Sequence, residues 1–175
     1  MSCILITGGA RAGKSSYAQK LASDINGKVL FVATAEAKDE DMRLRIEKHK
    51  KSRPSNWQTL ESPSEVANAI SEKDGEYQVI VIDCITMLVS NVMLGAVDER
   101  SAESAVINEI DALIKVMKSK SSAYILVSNE VGLGIVPDNE LSRNYRDLLG
   151  RANQLLARYA DEVYLMVAGI PVKIK

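Results

Sequence analysis

Short apolar runs alternate with amphipathic stretches along the whole chain. Cys3–Thr7 is a compact apolar segment closed by Gly8-Gly9 and reads as a first strand. Lys14 to about Asp24 has helical spacing and stops before Asn26-Gly27. Lys28–Thr34, with Val29, Leu30, Phe31 and Val32, is a second strand. Asp39 to about Ser52 is a charged helix that ends before Pro54, whose ring cannot continue it. Trp57–Leu60 reads as a short strand. Ser62-Pro63-Ser64-Glu65 has the pattern of a capping box with proline at the first helical position, so a helix is expected from there to about Lys73. Gln78–Asp83 is a continuous apolar strand of the kind buried on both faces of a parallel sheet. Ile85–Met93 is mostly apolar and fits a helix or a strand. Glu99–Ser119 is a long amphipathic helix, Ala123–Ser128 a core strand and Glu140–Ala160 a further helix. Glu162–Ala168 and Val172–Ile174 close the chain as strands, linked through Gly169 and Pro171 as a hairpin.

Strand and helix alternate at βαβ spacing, which predicts an α/β protein with a mainly parallel sheet and helices on both faces. There is no internal repeat, low-complexity segment or linker, so residues 1–175 read as a single domain. That length suffices for a real core, and 46% hydrophobic with 26% charged residues is a globular composition. A net charge of -1 argues against general nucleic-acid binding and leaves only a local patch. No apolar run approaches the roughly 20 residues of a membrane span. No basic stretch precedes the first apolar run, so no secretory leader is expected. Two cysteines make no disulfide framework. Buried thiols in a reducing, cytoplasmic setting are expected.

Candidate chemistry begins at Gly8-Gly9-Ala10-Arg11-Ala12-Gly13-Lys14-Ser15, a G-x-x-x-x-G-K-[ST] string placed between a predicted strand and a predicted helix. Backbone N–H groups of such a loop surround phosphates where no Cβ blocks the approach. Gly8 and Gly13 keep the backbone open, Lys14 supplies charge to the β- and γ-phosphates, and Ser15 offers a hydroxyl to Mg²⁺. The alternative is a glycine-rich turn that binds nothing. Asp83, ending an apolar strand, fits the acidic partner of the metal or nucleotide, or else caps a following helix. On such a sheet the loop predicts a P-loop NTPase fold of the RecA-like kind with a C-terminal hairpin.

His49 is the only histidine. On a helix, Arg45, His49 and Arg53 share one face, and Met42 and Ile46 lie near, so His49 is expected at the edge of a buried stripe. Positive neighbours favour the neutral ring, which is a nucleophile, while guanidinium groups hold phosphate against it. The competing reading is a solvated basic face that happens to contain a histidine, and the segment alone favours it.

Several segments together resemble the bifunctional adenosylcobinamide kinase / adenosylcobinamide-phosphate guanylyltransferase family of cobalamin biosynthesis. They are Ile6–Arg11 with Gly13-Lys14-Ser15, Ala33-Thr34-Ala35 with Asp39-Glu40, and Arg45-Ile46, His49, Arg53-Pro54 and Trp57. Further along are Asp83-Cys84-Ile85-Thr86, Ser90-Asn91, Ser128–Gly132, Gly134–Pro137, Arg146-Asp147, Gly150-Arg151, Asn153-Gln154, Ala168-Gly169 and Lys173-Ile174-Lys175. The chain departs from the family at Ala12, where serine is usual, and at Leu88, where tryptophan is frequent.

The resemblance implies that His49 accepts GMP from GTP as a covalent phosphoramidate. It implies nucleotide contacts at Gly8, Gly9, Ala10, Arg11, Ala12, Gly13, Lys14 and Ser15, at Thr34, Ala35 and Glu36, at Lys50, Lys51, Ser52 and Arg53, and at Glu61 and Asp83. His49 and Lys14 are then catalytic, Ser15 and Asp83 hold Mg²⁺, GTP and ATP are substrates, and adenosylcobinamide and its phosphate are acceptors. A carboxylate such as Glu61 is suited to guanine, whose N1–H and exocyclic amine both donate. The resemblance further implies a homotrimer, for which Ile85–Met93 is a candidate interface if it is not core. Corrinoid or nucleotide contacts are expected in Asn129–Asp147, unless that segment is a structural loop. Two rivals remain: a P-loop kinase or NTPase without a covalent step, and a nucleotide-dependent switch that is not an enzyme.

Overall fold

The computed structural model describes residues 2–37, 39–73 and 77–175, without the side chains of Arg45 and Ser52. The strands are β1 (Cys3–Gly8), β2 (Val29–Ala33), β3 (Gln58–Glu61), β4 (Val79–Asp83), β5 (Ala123–Val127), β6 (Glu162–Val167) and β7 (Ile170–Lys173). The helices are α1 (Lys14–Asp24), α2 (Glu40–Ser52), α3 (Val66–Ser71), α4 (Ile85–Leu94), α5 (Glu99–Ser119) and α6 (Glu140–Tyr159). One sheet runs in the order β3-β2-β4-β5-β1-β6-β7. Every pairing is parallel except β6–β7. The C-terminal ends of β1 to β6 therefore share one edge.

The period-2 alternation of the strands divides the core in two. Leu5, Leu30, Val32, Ile80, Ile82, Tyr124 and Leu126 point to one face, covered by α3, α4, α5 and α6. Ile6, Val29, Phe31, Val79, Val81, Ile125 and Val127 point to the other, where Ala18 and Ala22 of α1 pack. Helices thus lie on both faces, but unequally. None of the described side chains of α2 is buried.

Most expected elements are present with ends shifted by a residue or two. Ile85–Met93 resolves as helix: Ile85, Leu88, Val89 and Met93 are buried in the larger core, so those positions of its apolar run are core packing, while Met87 and Val92 are half-buried. The capping box at Ser62–Glu65 does not form. Ser62 Oγ donates instead to the Ser64 carbonyl at 2.8 Å, and Glu65 has a left-handed φ of 52°. The Val66 N–H donates to Glu109 Oε1 of α5 at 2.8 Å, so a distant carboxylate caps α3 and the local motif loses to it.

The C-terminal end of α6 is closed by Lys175. Its Nζ donates to the carbonyls of Ala157 (3.1 Å), Arg158 (3.2 Å) and Ala160 (2.5 Å), the groups a helix leaves unpaired at its negative end. Lys175→Met is expected to lower stability by about 1 kcal/mol, or roughly 2–4 °C in thermal midpoint. An unchanged melting curve would show that these bonds add nothing.

Candidate functional site

The glycine-rich loop leaves the end of β1 and opens α1, as its sequence requires. Gly8 has φ 141°, and a Cβ there would lie 2.6 Å from the Met166 carbonyl oxygen of β6. Only glycine allows β1 and β6 to stay paired at that point. Gly13 caps α1 with φ 91° and no side-chain cap, so the N–H groups of the first helical turn face the loop without one. Lys14 is buried. Its ammonium donates to the carbonyls of Gly8 (3.1 Å) and Gly9 (2.6 Å). Burial lowers its pKa, against the opposing pull of Cys84 and Asp83. An ammonium held dry among loop peptides is a ready partner for a phosphate oxygen.

Asp83 stays in the strand. The N-cap of α4 is Cys84, with no side-chain cap bond, so the helix-capping alternative for Asp83 is not what forms. The carboxylate is half-buried at the sheet edge and acts electrostatically on both Lys14 and Arg53. Ser15 and Asp83 are hard oxygen donors, a set that suits Mg²⁺ carried in with phosphates and water. Among the described residues no group of three or more His, Cys, Asp or Glu is arranged to hold a metal.

Thr34 is fully buried and its hydroxyl is already committed. It donates to the Cys84 carbonyl (2.7 Å) and accepts from the Cys84 N–H (2.8 Å), tying the ends of β2 and β4 together. Asn91 of α4 donates to the carbonyls of Thr34 (2.8 Å) and Pro63 (3.1 Å). Ala35 and Glu36, which follow Thr34 in the chain, are half-buried and exposed respectively.

His49 lies in the last turn of α2 and is exposed, with Met42 and Ile46 half-buried, so the expected edge of a buried stripe is not there. Nor does Arg53 extend the helical face of His49. It is the C-cap, with φ -80° and ψ 145°, because Pro54 forces the chain out of the helix. Its guanidinium instead stacks 3.8 Å from the Phe31 ring centroid and donates to Thr59 Oγ1 at 3.3 Å. Its Nε is buried with no hydrogen-bond partner among the described residues, and burial lowers its pKa against the pull of Asp83 and Glu61. Lys50 forms an ion pair with Glu61 at the end of β3. The tail of α2 is thereby tied to the sheet edge that carries the loop, while its body is exposed. Lys51 is exposed; the Ser52 side chain and Arg45 side chain lie outside the described residues.

Three supports have no role in the sequence reading. Asn91 is one. The second is a chain in which Ser128 Oγ donates to Asn153 Oδ1 (2.6 Å), Asn153 Nδ2 to the Asn129 carbonyl (3.0 Å), and the Asn129 N–H to Thr86 Oγ1 (2.8 Å). The third is the β6–β7 turn beside the loop. A polar residue at a buried helical position, as with Asn153, is the signal that marks the second.

A cleft of about 470 Å³ lies between α4, α5 and α6, lined by Leu94, Asp98, Ala102, Leu141, Asn144 and Asp147 among others. It takes in the end of the Asn129–Asp147 segment, whose Leu133, Ile135 and Val136 are exposed.

The chain matches the family model for cobinamide kinase / cobinamide phosphate guanyltransferase over residues 4–174. It is 42% identical over 180 residues to the bifunctional adenosylcobalamin biosynthesis protein CobU of Salmonella typhimurium, covering 98% of this chain and 99% of that protein. The CobU protein of Escherichia coli is 40% identical with the same coverage. The CobP protein of Pseudomonas aeruginosa is 38% identical over 171 residues, 98% of this chain and 96% of its own. Among solved structures, the flagellar accessory protein FlaH of Methanocaldococcus jannaschii is similar with a TM-score of 0.54 at 16% identity, covering 99% of this chain and 78% of that one, a likeness of fold alone. A loop with a buried lysine, a mostly parallel α/β sheet and full-length similarity to three such proteins agree: the chain belongs to the cobinamide kinase / cobinamide phosphate guanyltransferase family.

Proposed function

We propose that this chain carries out both reactions of its family, using one phosphate loop and one histidine. The observation that carries the reading is the pairing of the buried Lys14 loop with an exposed, cationic helix tail that bears the only histidine and is tied to the same sheet edge. In the first reaction the hydroxyl of adenosylcobinamide attacks the γ-phosphorus of ATP or GTP and the nucleoside diphosphate leaves. Lys14 and the N–H groups of Gly8 to Ser15 stabilise the charge on the transferring group. Mg²⁺, held by Ser15 and Asp83, would neutralise charge between the β- and γ-phosphates.

In the second reaction a ring nitrogen of His49 attacks the α-phosphorus of GTP and pyrophosphate leaves. A phosphate oxygen of the corrinoid then attacks the same phosphorus, the P–N bond breaks and adenosylcobinamide-GDP forms. Imidazole suits both halves because it is a nucleophile and a leaving group. Lys50, Lys51 and Arg53 supply positive charge beside the nucleophile. No described side chain of α2 is buried, so once nucleotide displaces Lys50 from Glu61 only the contacts of Arg53 hold the last turn back from the α-phosphate. Glu61 accepts hydrogen bonds from guanine once nucleotide displaces its Lys50 partner. The corrinoid reaches the loop across the Asn129–Asp147 segment, where exposed Leu133, Ile135 and Val136 offer apolar contact. Assembly as a homotrimer in the cytoplasm belongs to the same reading.

Incubation with α-³²P-labelled GTP and Mg²⁺ is expected to leave label on the denatured chain, lost in acid, kept in alkali and absent from His49→Ala. Bound nucleotide without retained label would favour a P-loop kinase in which His49 is incidental. Glu61→Gln is expected to reduce the preference for GTP over ATP in the labelling step by about tenfold or more, since an oriented acceptor for two donors is lost. Unchanged discrimination would remove Glu61 from guanine recognition.

A further inference from the structure

β6 and β7 are joined by Ala168 and Gly169, with φ 50° and 84°, so that Val167 pairs with Ile170. Both turn residues are left-handed, the arrangement whose twist matches a two-residue hairpin. An alanine in that region is strained relative to glycine or asparagine. All four residues of β7 are exposed, so this strand adds nothing to either core.

The tip of the hairpin meets the phosphate loop. The Gly169 N–H donates to the Ala12 carbonyl at 3.2 Å. A Cβ on Gly13 would lie 3.3 Å from Gly169 Cα and 3.8 Å from Met166 Cε, and Gly8 pairs with Met166 itself. On the loop's other flank the Glu130 N–H donates to the Gly8 carbonyl at 3.0 Å. The loop is therefore held from two sides, and the hairpin holds its second half. A trans peptide is planar, with its C=O and N–H pointing opposite ways. Fixing the Ala12 carbonyl on Gly169 turns the Gly13 N–H away from the hairpin.

We propose that the Ala168-Gly169 tip positions the phosphate loop: by holding the Ala12 carbonyl it presents the Gly13 N–H to the nucleotide before the nucleotide arrives. This rests on the reading of Gly8–Ser15 as a phosphate site. Gly169 is a positioning residue, acting through Ala12 and Gly13. A donor fixed in advance needs no reorientation on binding, so its effect falls on nucleotide affinity. The Ala168-Gly169 pair, which the two reactions leave without a role, acquires one.

The test is a full-length chain whose residue 169 is glycolic acid, replacing the 168–169 amide by an ester and deleting only the N–H. Affinities for MgATP and MgGTP are measured by calorimetry beside the thermal midpoint of the nucleotide-free chain. Both dissociation constants are expected to rise about fivefold to tenfold, as for loss of one hydrogen bond. Values within about twofold of the parent, whatever the midpoint does, overturn the proposal. Lys173→Ala, which removes the hairpin ion pair to Glu162 at 3.2 Å, is expected to lower the midpoint and leave both affinities unchanged. If it weakens them as much as the ester does, general loosening of the hairpin is the cause and the proposal is overturned. Should the ester chain not fold, Gly169→Ala keeps the N–H but disfavours the left-handed φ, and about threefold weaker binding is expected of it, with unchanged binding overturning the proposal. A parent chain that binds neither nucleotide would refute the phosphate-site reading itself, a distinct result.

Discussion

The site depends first on an ammonium held out of water. Lys14 is buried, bonded to two loop carbonyls and within electrostatic reach of Asp83. Burial depresses its pKa in the folded chain, so the unfolded chain binds that proton more readily. The group therefore weakens the fold at neutral pH, and the cost fades as pH rises toward the ordinary lysine value. A fold tolerates such a residue where an anion makes use of it. One of its carbonyl partners, Gly8, lies against Met166 where β6 runs parallel beside β1. Sheet order, glycine placement and charge are thus one arrangement.

The second constraint is the contrast between this rigid loop and α2. The loop is braced by backbone bonds from Glu130 and Gly169 and by the ammonium of Lys14. α2 is capped by Asp39, which accepts from the Met42 N–H at 2.7 Å, and laced by Arg43 with Glu40 and Glu47 on its own surface. Those bonds hold the helix together without docking it. Its fixed point is the tail, where Arg53 stacks on Phe31 and Lys50 meets Glu61. A fixed phosphate site beside a tethered histidine suits the proposed pair of reactions, in which the acceptor hydroxyl attacks the γ-phosphorus and His49 attacks the α-phosphorus.

What the sequence made legible followed from local signals. Continuous apolar runs such as Val79–Ile82, the loop string, and the stop of α2 before Pro54 are each decided within a few residues. What it hid was decided at long range. α3 takes its cap from Glu109, 43 residues away, and so the Ser62–Glu65 motif misled. The mostly apolar Ile85–Met93 carries no clear period that separates helix from strand, and its burial came from α5 and α6 packing over it. The stripe expected beneath His49 failed because Met42 and Ile46 are too few to dock a helix with so many charged neighbours. The loop's props, Glu130 on Gly8 and Gly169 on Ala12, belong to segments far along the chain that no spacing rule connects to it.

The central claim is that one phosphate loop serves two reactions while His49 serves only one. The direct measurement is product analysis of Lys14→Ala and His49→Ala, each supplied with adenosylcobinamide, ATP, GTP and Mg²⁺. The account predicts that His49→Ala accumulates adenosylcobinamide phosphate and makes no GDP derivative, while Lys14→Ala makes neither product. Formation of the GDP derivative by His49→Ala, or full phosphorylation by Lys14→Ala, would contradict it.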